Sequence, residues 1–158
     1  MNSLASCAST HFMQRAAREV ARVMEFSGGT KLRILFVEDE SSCRNSIRLL
    51  FRHPLLSGFA VDFAGDSNEA MSLIVCNVYD LAIVDCNLDA WHARTLVADW
   101  VDHGYQLPFM VTGSPGVAKE MLSLGSSGFI EKADALNPAL LSRALKKAMD
   151  GFWIDRCK

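Results

Sequence analysis

The chain has 158 residues, half of them hydrophobic, which suits one compact domain with an ordinary core and is too short to add a second full domain. Sixteen basic side chains stand against eighteen acidic ones with no basic excess or stripe, so the composition gives no support to nucleic-acid binding. The five cysteines (Cys7, Cys43, Cys76, Cys86 and Cys157) form no CxxC pair or Cys/His cluster, which argues against a disulfide frame or a zinc site and fits reduced thiols in a cytoplasmic protein.

The first 30 residues stand apart as a separate segment, 1–30, ahead of a domain over 31–158. Leu4-Ala5-Ser6-Cys7 has the shape of a lipoprotein cleavage box, but only three residues precede it and no charged or apolar stretch leads in, so it is taken as coincidence. From His11 to Phe26 the apolar residues Phe12, Ala16, Val20 and Met24 recur every fourth position, with Arg15, Arg18, Glu19, Arg22 and Glu25 between them. This is the pattern of an amphipathic helix, which could fold back on its own domain, bind a partner or pair with a second copy to make a homodimer. Ser27-Gly28-Gly29 ends it as a hinge. No run of about 20 apolar residues occurs, so no membrane span is expected.

Beyond the hinge, strand and helix patterns alternate. Strands are expected at Leu32 to Val37, Phe59 to Phe63, Leu81 to Val84, Leu107 to Val111 and Gly128 to Ile130. Between and after them, helices are expected at Ser41 to Arg52, at 67 to about 76 behind an Asp66 or Ser67 cap, and from Asp89 to about His103. Two more follow, Val117 to Leu124 closed by Gly125, and a last one to about Phe152 that opens with Asn137 as cap and Pro138 in its first turn. Five such units imply an α/β fold, a doubly wound five-stranded parallel sheet with an extra N-terminal helix. In such sheets the reactive groups collect beyond the carboxyl ends of the strands.

Those ends are rich in chemistry. Strand one ends in Glu38-Asp39-Glu40, strand three in Asp85 and strand four in Thr112-Gly113, while Glu131 and Lys132 follow strand five. Carboxylates at close quarters repel one another unless a cation joins them, and Mg2+ suits a site of oxygen ligands. Asp85 would be ligand and nucleophile, forming an acyl phosphate, while the metal and Lys132 neutralise charge and the Thr112 hydroxyl donates a hydrogen bond. Gly113 is expected to leave the approach to Asp85 open.

Together these segments resemble the receiver domain of two-component response regulators over roughly Lys31 to Phe152. Ile34-Leu35-Phe36-Val37-Glu38-Asp39-Glu40 is similar to the family's acidic opening, Ile83-Val84-Asp85 to its phosphoacceptor strand and Val111-Thr112-Gly113 to its hydroxyl position. Gly125-Ser126-Ser127-Gly128-Phe129-Ile130-Glu131-Lys132 is similar to the segment with its switch aromatic and lysine. The resemblance implies a flavodoxin-like receiver fold with Asp85 as the phosphoacceptor. Asp39 would hold Mg2+ directly, Glu38 through water, and the backbone carbonyl of Asn87 would complete the metal shell. Thr112 and Lys132 would bind the phosphoryl group, and Phe129 would turn inward when Thr112 moves. It further implies a histidine kinase or phosphotransfer protein as donor, an unknown downstream protein as the output partner, and no enzymatic activity beyond its own phosphorylation and dephosphorylation.

The chain departs from the family where Asp89 replaces a frequent proline, Ala93 a glycine, and Ala133 the proline after the lysine, with the cis bond usual there expected to be missing. Asp85-Cys86-Asn87-Leu88, Val97-Ala98-Asp99 and Pro108-Phe109 resemble stand-alone receivers that share the first departure, so a stand-alone type signalling through protein contacts is expected. The departures also motivate a second reading, a pseudo-receiver interaction module that is not phosphorylated, against which the retention of Asp39, Asp85, Thr112 and Lys132 weighs. A small aspartyl-phosphate phosphatase fits poorly, because Asn87 stands where a second acid would be required. Cys86 is read as a small buried residue rather than a redox group.

Overall fold

The computed structural model describes residue 13 and residues 31–87 and 90–156, with the backbone alone for 90–92 and 151–156. Apart from Met13, the expected N-terminal helix, its hinge and any pairing through it lie outside the described residues, as does Asp89.

The elements follow the alternating pattern. In chain order they are β1 (Leu32–Val37), α1 (Ser41–Leu50), β2 (Phe59–Ala64), α2 (Ser67–Cys76), β3 (Leu81–Asp85), α3 (Ala90–Asp102), β4 (Phe109–Gly113), α4 (Pro115–Ser123), β5 (Phe129–Glu131) and α5 (Pro138–Arg156). Two single turns of 3-10 helix, Pro54–Leu56 and Asp134–Leu136, precede β2 and α5 and carry no periodicity long enough to read from sequence. The caps behave as their chemistry requires. The Asp66 carboxylate accepts the Glu69 N–H at 2.8 Å, and Asn137 Oδ1 accepts from Ala139 and Leu140 at 3.0 and 3.2 Å.

β4 lies two residues later than expected, at Phe109–Gly113 in place of Leu107 to Val111. Pro108 has no N–H to give to a ladder, so pairing by both groups begins after it, although its carbonyl still accepts the Ala82 N–H at 2.9 Å. The shift carries Thr112 and Gly113 into the strand itself.

The five strands form one parallel sheet in the order β2-β1-β3-β4-β5. Every residue of β3 and β4 is buried, as continuous apolar runs between two helical layers must be. One face packs Leu35, Val37, Val84 and Val111 against Ala70 and Ile74 of α2, Leu96 and Trp100 of α3 and Met121 of α4. The other packs Ile34, Phe36, Ile83 and Met110 against Ile47 of α1 and Leu141 and Leu145 of α5. Ala93 is fully buried in the first of these cores. No helix among the described residues is long and apolar enough to cross a membrane.

Candidate functional site

Because all strands run parallel, their carboxyl ends share one edge, and the strand order reverses between β1 and β3, the place where such sheets bind their ligands. Val37 pairs with Val84, so the next residues out, Glu38 and Asp85, lie side by side at the edge of the sheet. Asp85 pairs with Thr112, and Thr112 in turn with Ile130, which places Lys132 just beyond the end of β5.

The side chains meet at that edge. Carboxylate oxygens of Glu38, Asp39 and Asp85 all lie within 4.8 Å of one another; Glu38 and Asp85 are buried and Asp39 is exposed. Lys132 Nζ donates to Asp85 Oδ2 at 2.8 Å and lies 3.1 Å from Glu38 Oε2. The second contact is an ion pair without hydrogen-bond alignment, so Glu38 Oε2 is buried with no donor on it. Its other oxygen accepts the Glu40 N–H at 3.1 Å, and Asp85 Oδ1 accepts the Asn87 N–H at 3.0 Å.

The electrostatics follow from that crowding. Burial pushes the Glu38 carboxyl above the usual carboxylate range, the Asp85 charge adds to the rise, and bonds from the Glu40 N–H and the Cys43 thiol pull it back. Burial works against the charge of Lys132, yet its contacts with Asp85 and Glu38 outweigh it and raise the ammonium above its ordinary value. One ammonium thus pairs with two of three clustered carboxylates. The excess negative charge, the orphaned Glu38 oxygen and the all-oxygen donor set fit a hard divalent cation, and the exposed side at Asp39 leaves room for the waters that Mg2+ retains.

Each expected residue can now be located. Glu38, Asp39, Asp85 and Lys132 come together, and Thr112 is buried beside Asp85. Asn87 is held next to the cluster by its N–H bond to Asp85. Phe129 pairs with Val111 and is half-buried against the core that includes Met121. Cys86 is buried, and burial, with the charges of Asp85 and Glu120, pushes its thiol up to about 11, so the neutral thiol dominates near neutral pH. Ala133 leads into the Asp134–Leu136 turn, and no described peptide bond is cis.

Gly113 has a packing reason besides the expected one. A Cβ there would stand 2.9 Å from the Cβ of Cys86, and the backbone has φ +153°, so close packing of two strand ends requires glycine. Sequence reasoning also passed over Arg44, whose Nη1 donates to the carbonyl oxygens of Glu38 at 2.6 Å and of Asp39 at 2.7 Å. The available signal was a lone arginine in the first turns of the helix that follows the acidic triplet.

No family model matches the chain. It is 28% identical over 108 residues to the transcriptional regulatory protein PmrA of Pectobacterium parmentieri, 66% of this chain and 47% of that protein. It is 31% identical over 104 residues to the virulence transcriptional regulatory protein PhoP of Salmonella typhimurium, 64% of this chain and 45% of that protein. The chain therefore matches somewhat under half the length of these relatives. Among solved structures, a CheY-like response regulator receiver domain protein from Methanospirillum hungatei matches with a TM-score of 0.64 at 20% identity, covering 80% of this chain and 99% of that one. With the sheet order already described, the chain has the CheY-like fold, and its sequence is similar to those of response regulators over about two thirds of its length.

Proposed function

We propose that this chain is a response-regulator receiver that takes a phosphoryl group on Asp85 from a histidine kinase or phosphotransfer protein and passes the signal to a downstream protein by a change of surface. The observation that carries the reading is the approach of Lys132 Nζ to 2.8 Å from the buried Asp85 carboxylate, within a cluster of three carboxylates. In the transfer, an Asp85 oxygen forms a bond to phosphorus as the bond from phosphorus to the donor's imidazole nitrogen breaks. The electron pair stays on that nitrogen, and the product is an acyl phosphate.

Asp39 and Asp85 would hold Mg2+, with Glu38 through water and the Asn87 carbonyl as further ligands; bound there, the ion supplies positive charge against the phosphoryl oxygens. Lys132 exchanges its contact with Asp85 for one with the incoming phosphoryl group, and the Thr112 hydroxyl donates to the same group. Withdrawal of Thr112 toward the phosphoryl group vacates space into which Phe129 turns, and α4, β5 and α5 form the surface that changes. Free thiols at Cys43, Cys76 and Cys86 support a cytoplasmic setting.

The test is intact mass after incubation with a small phosphodonor and Mg2+, beside an Asp85→Asn control. One added phosphoryl group on the parent, absent from the control, supports the reading. No addition in a folded sample that also fails to bind Mg2+ would sink it in favour of an interaction module that is not phosphorylated.

A further inference from the structure

We infer that Arg44 is a positioning residue for the cation site, its guanidinium holding the β1–α1 loop in the shape that aims the Glu38 and Asp39 carboxylates into the pocket. The inference rests on the reading of those carboxylates as a Mg2+ site.

A single nitrogen, Nη1, donates to two successive carbonyl oxygens, of Glu38 at 2.6 Å and of Asp39 at 2.7 Å. Peptide units are planar, so tying down both carbonyls fixes the planes of the Glu38–Asp39 and Asp39–Glu40 links, which flank the Asp39 Cα, and with them the direction in which the Asp39 side chain leaves. The donor is charged, which makes such bonds shorter and stronger than neutral ones. The same loop is held at its start by the Glu38 N–H, which donates to the Ala64 oxygen at 3.0 Å, and at its end by the Arg44 N–H, which donates to the Glu40 oxygen at 3.0 Å.

The neighbouring β2–α2 turn is shaped around this guanidinium. A Cβ at Gly65 would lie 3.3 Å from Arg44 Nη1 and 3.4 Å from Glu69 Oε2, while Glu69 Oε2 accepts the Gly65 N–H at 2.6 Å. Glycine at that turn leaves the guanidinium its place. Arg44 therefore lies between the loop that carries two cation ligands and the turn beside it, without itself entering the ligand set.

A rival account gives Arg44 only a charge-balancing part, and the two differ in sign. Removing a positive charge from beside an acidic pocket would tighten Mg2+ by electrostatics alone. Loss of positioning weakens it, since groups that orient metal ligands typically cost roughly 10-fold or more in affinity when removed.

The experiment is calorimetric titration of the full chain with Mg2+ for the parent, Asp39→Asn, Arg44→Met and Arg44→Lys, with thermal unfolding in chelator as the check of folding. Amide exchange of Glu40 in the metal-free proteins is followed alongside. The expected result is Mg2+ binding by the parent, loss in Asp39→Asn, and weakening by roughly 10-fold in Arg44→Met. Arg44→Lys, which lacks the planar fork, should fall between parent and Arg44→Met. Faster exchange of the Glu40 N–H in both Arg44 variants, at unchanged rates in the sheet, would mark a loosened loop rather than a weakened fold. Binding by Arg44→Met as tight as the parent's, or tighter, would overturn the inference. Should Arg44→Met fail to fold, parent-like affinity in Arg44→Lys with parent-like Glu40 exchange would do the same. A parent that binds no Mg2+ would fail at the earlier step, removing the cation site itself and this role with it.

Discussion

Lys132 and Asp85 are 47 positions apart in sequence, yet Nζ lies 2.8 Å from Oδ2, and the same ammonium is 3.1 Å from Glu38. It is the charge that makes two buried carboxylates tolerable in one place. If it also neutralises the transferring group, Lys132→Met should reduce the rate of phosphorylation by small phosphodonors by roughly 100-fold, the usual scale for removing one preorganised stabilising donor. Rates measured by intact mass over time would check this, and a rate within a factor of about two of the parent would contradict the role.

Mg2+ should stabilise the fold by binding the native state alone. At a hundredfold excess over its dissociation constant the gain is about 2.7 kcal/mol in the parent. Asp39→Asn, which removes the exposed carboxylate of the cluster, should abolish most of that gain while leaving the metal-free protein folded. Urea unfolding with Mg2+ and with chelator reads both quantities; equal gains in the two proteins would place the cation elsewhere.

Gly113→Ala should destabilise the protein by about 1–3 kcal/mol. The new methyl group would meet Cys86 at 2.9 Å on a backbone at φ +153°, and neither strand end can move without disturbing the β3–β4 ladder. Chemical unfolding is the measurement, and a variant as stable as the parent would show that the strand ends can part.

Tyr79 gives the fold an alkaline limit. Its phenol is buried and donates to Asp62 Oδ2 at 3.0 Å; burial, then that bond and the Asp62 charge, raise its pKa well above the ordinary value. The unfolded chain loses the proton first, at about pH 10, so the unfolded state binds fewer protons than the native state and stability falls as pH rises beyond that point. The slope approaches about 1.4 kcal/mol per pH unit until the native phenol itself ionises. Tyr79→Phe should flatten this alkaline loss, at a cost of about 1 kcal/mol near neutral pH for the lost hydrogen bond. Stability measured at a series of pH values from 8 upward in both proteins, on the order of five points, would settle the comparison.

Phe129→Ala should separate phosphorylation from its consequence. The ring is half-buried against the Met121 side of the core and touches none of the carboxylate cluster's hydrogen bonds. Phosphoryl uptake on Asp85 should persist, while NMR shift changes in α4, β5 and α5 on phosphorylation should shrink. Shift changes as wide as the parent's would assign the switch to another side chain.

The sequence by itself determined the order and kind of the five strands and of the five helices that alternate with them, because helical spacing and unbroken apolar runs report burial locally, and because repeated strand-helix units admit few arrangements other than a parallel sheet. Once the sheet is parallel, strand-end residues must share one edge, so Glu38, Asp39, Asp85, Thr112 and Lys132 could be named together before any distance was known. What only the tertiary structure decided depends on contacts between segments distant in sequence. Pairing with β3 and the missing N–H of Pro108 set where β4 begins. The approach of Gly113 to Cys86 follows from the register of two strands, and the hold of Arg44 on the Glu38 and Asp39 carbonyls from the path of a loop backbone. A side-chain pattern carries no record of which way a carbonyl points, and the three-dimensional packing of β1, α1 and the β2–α2 turn supplies it.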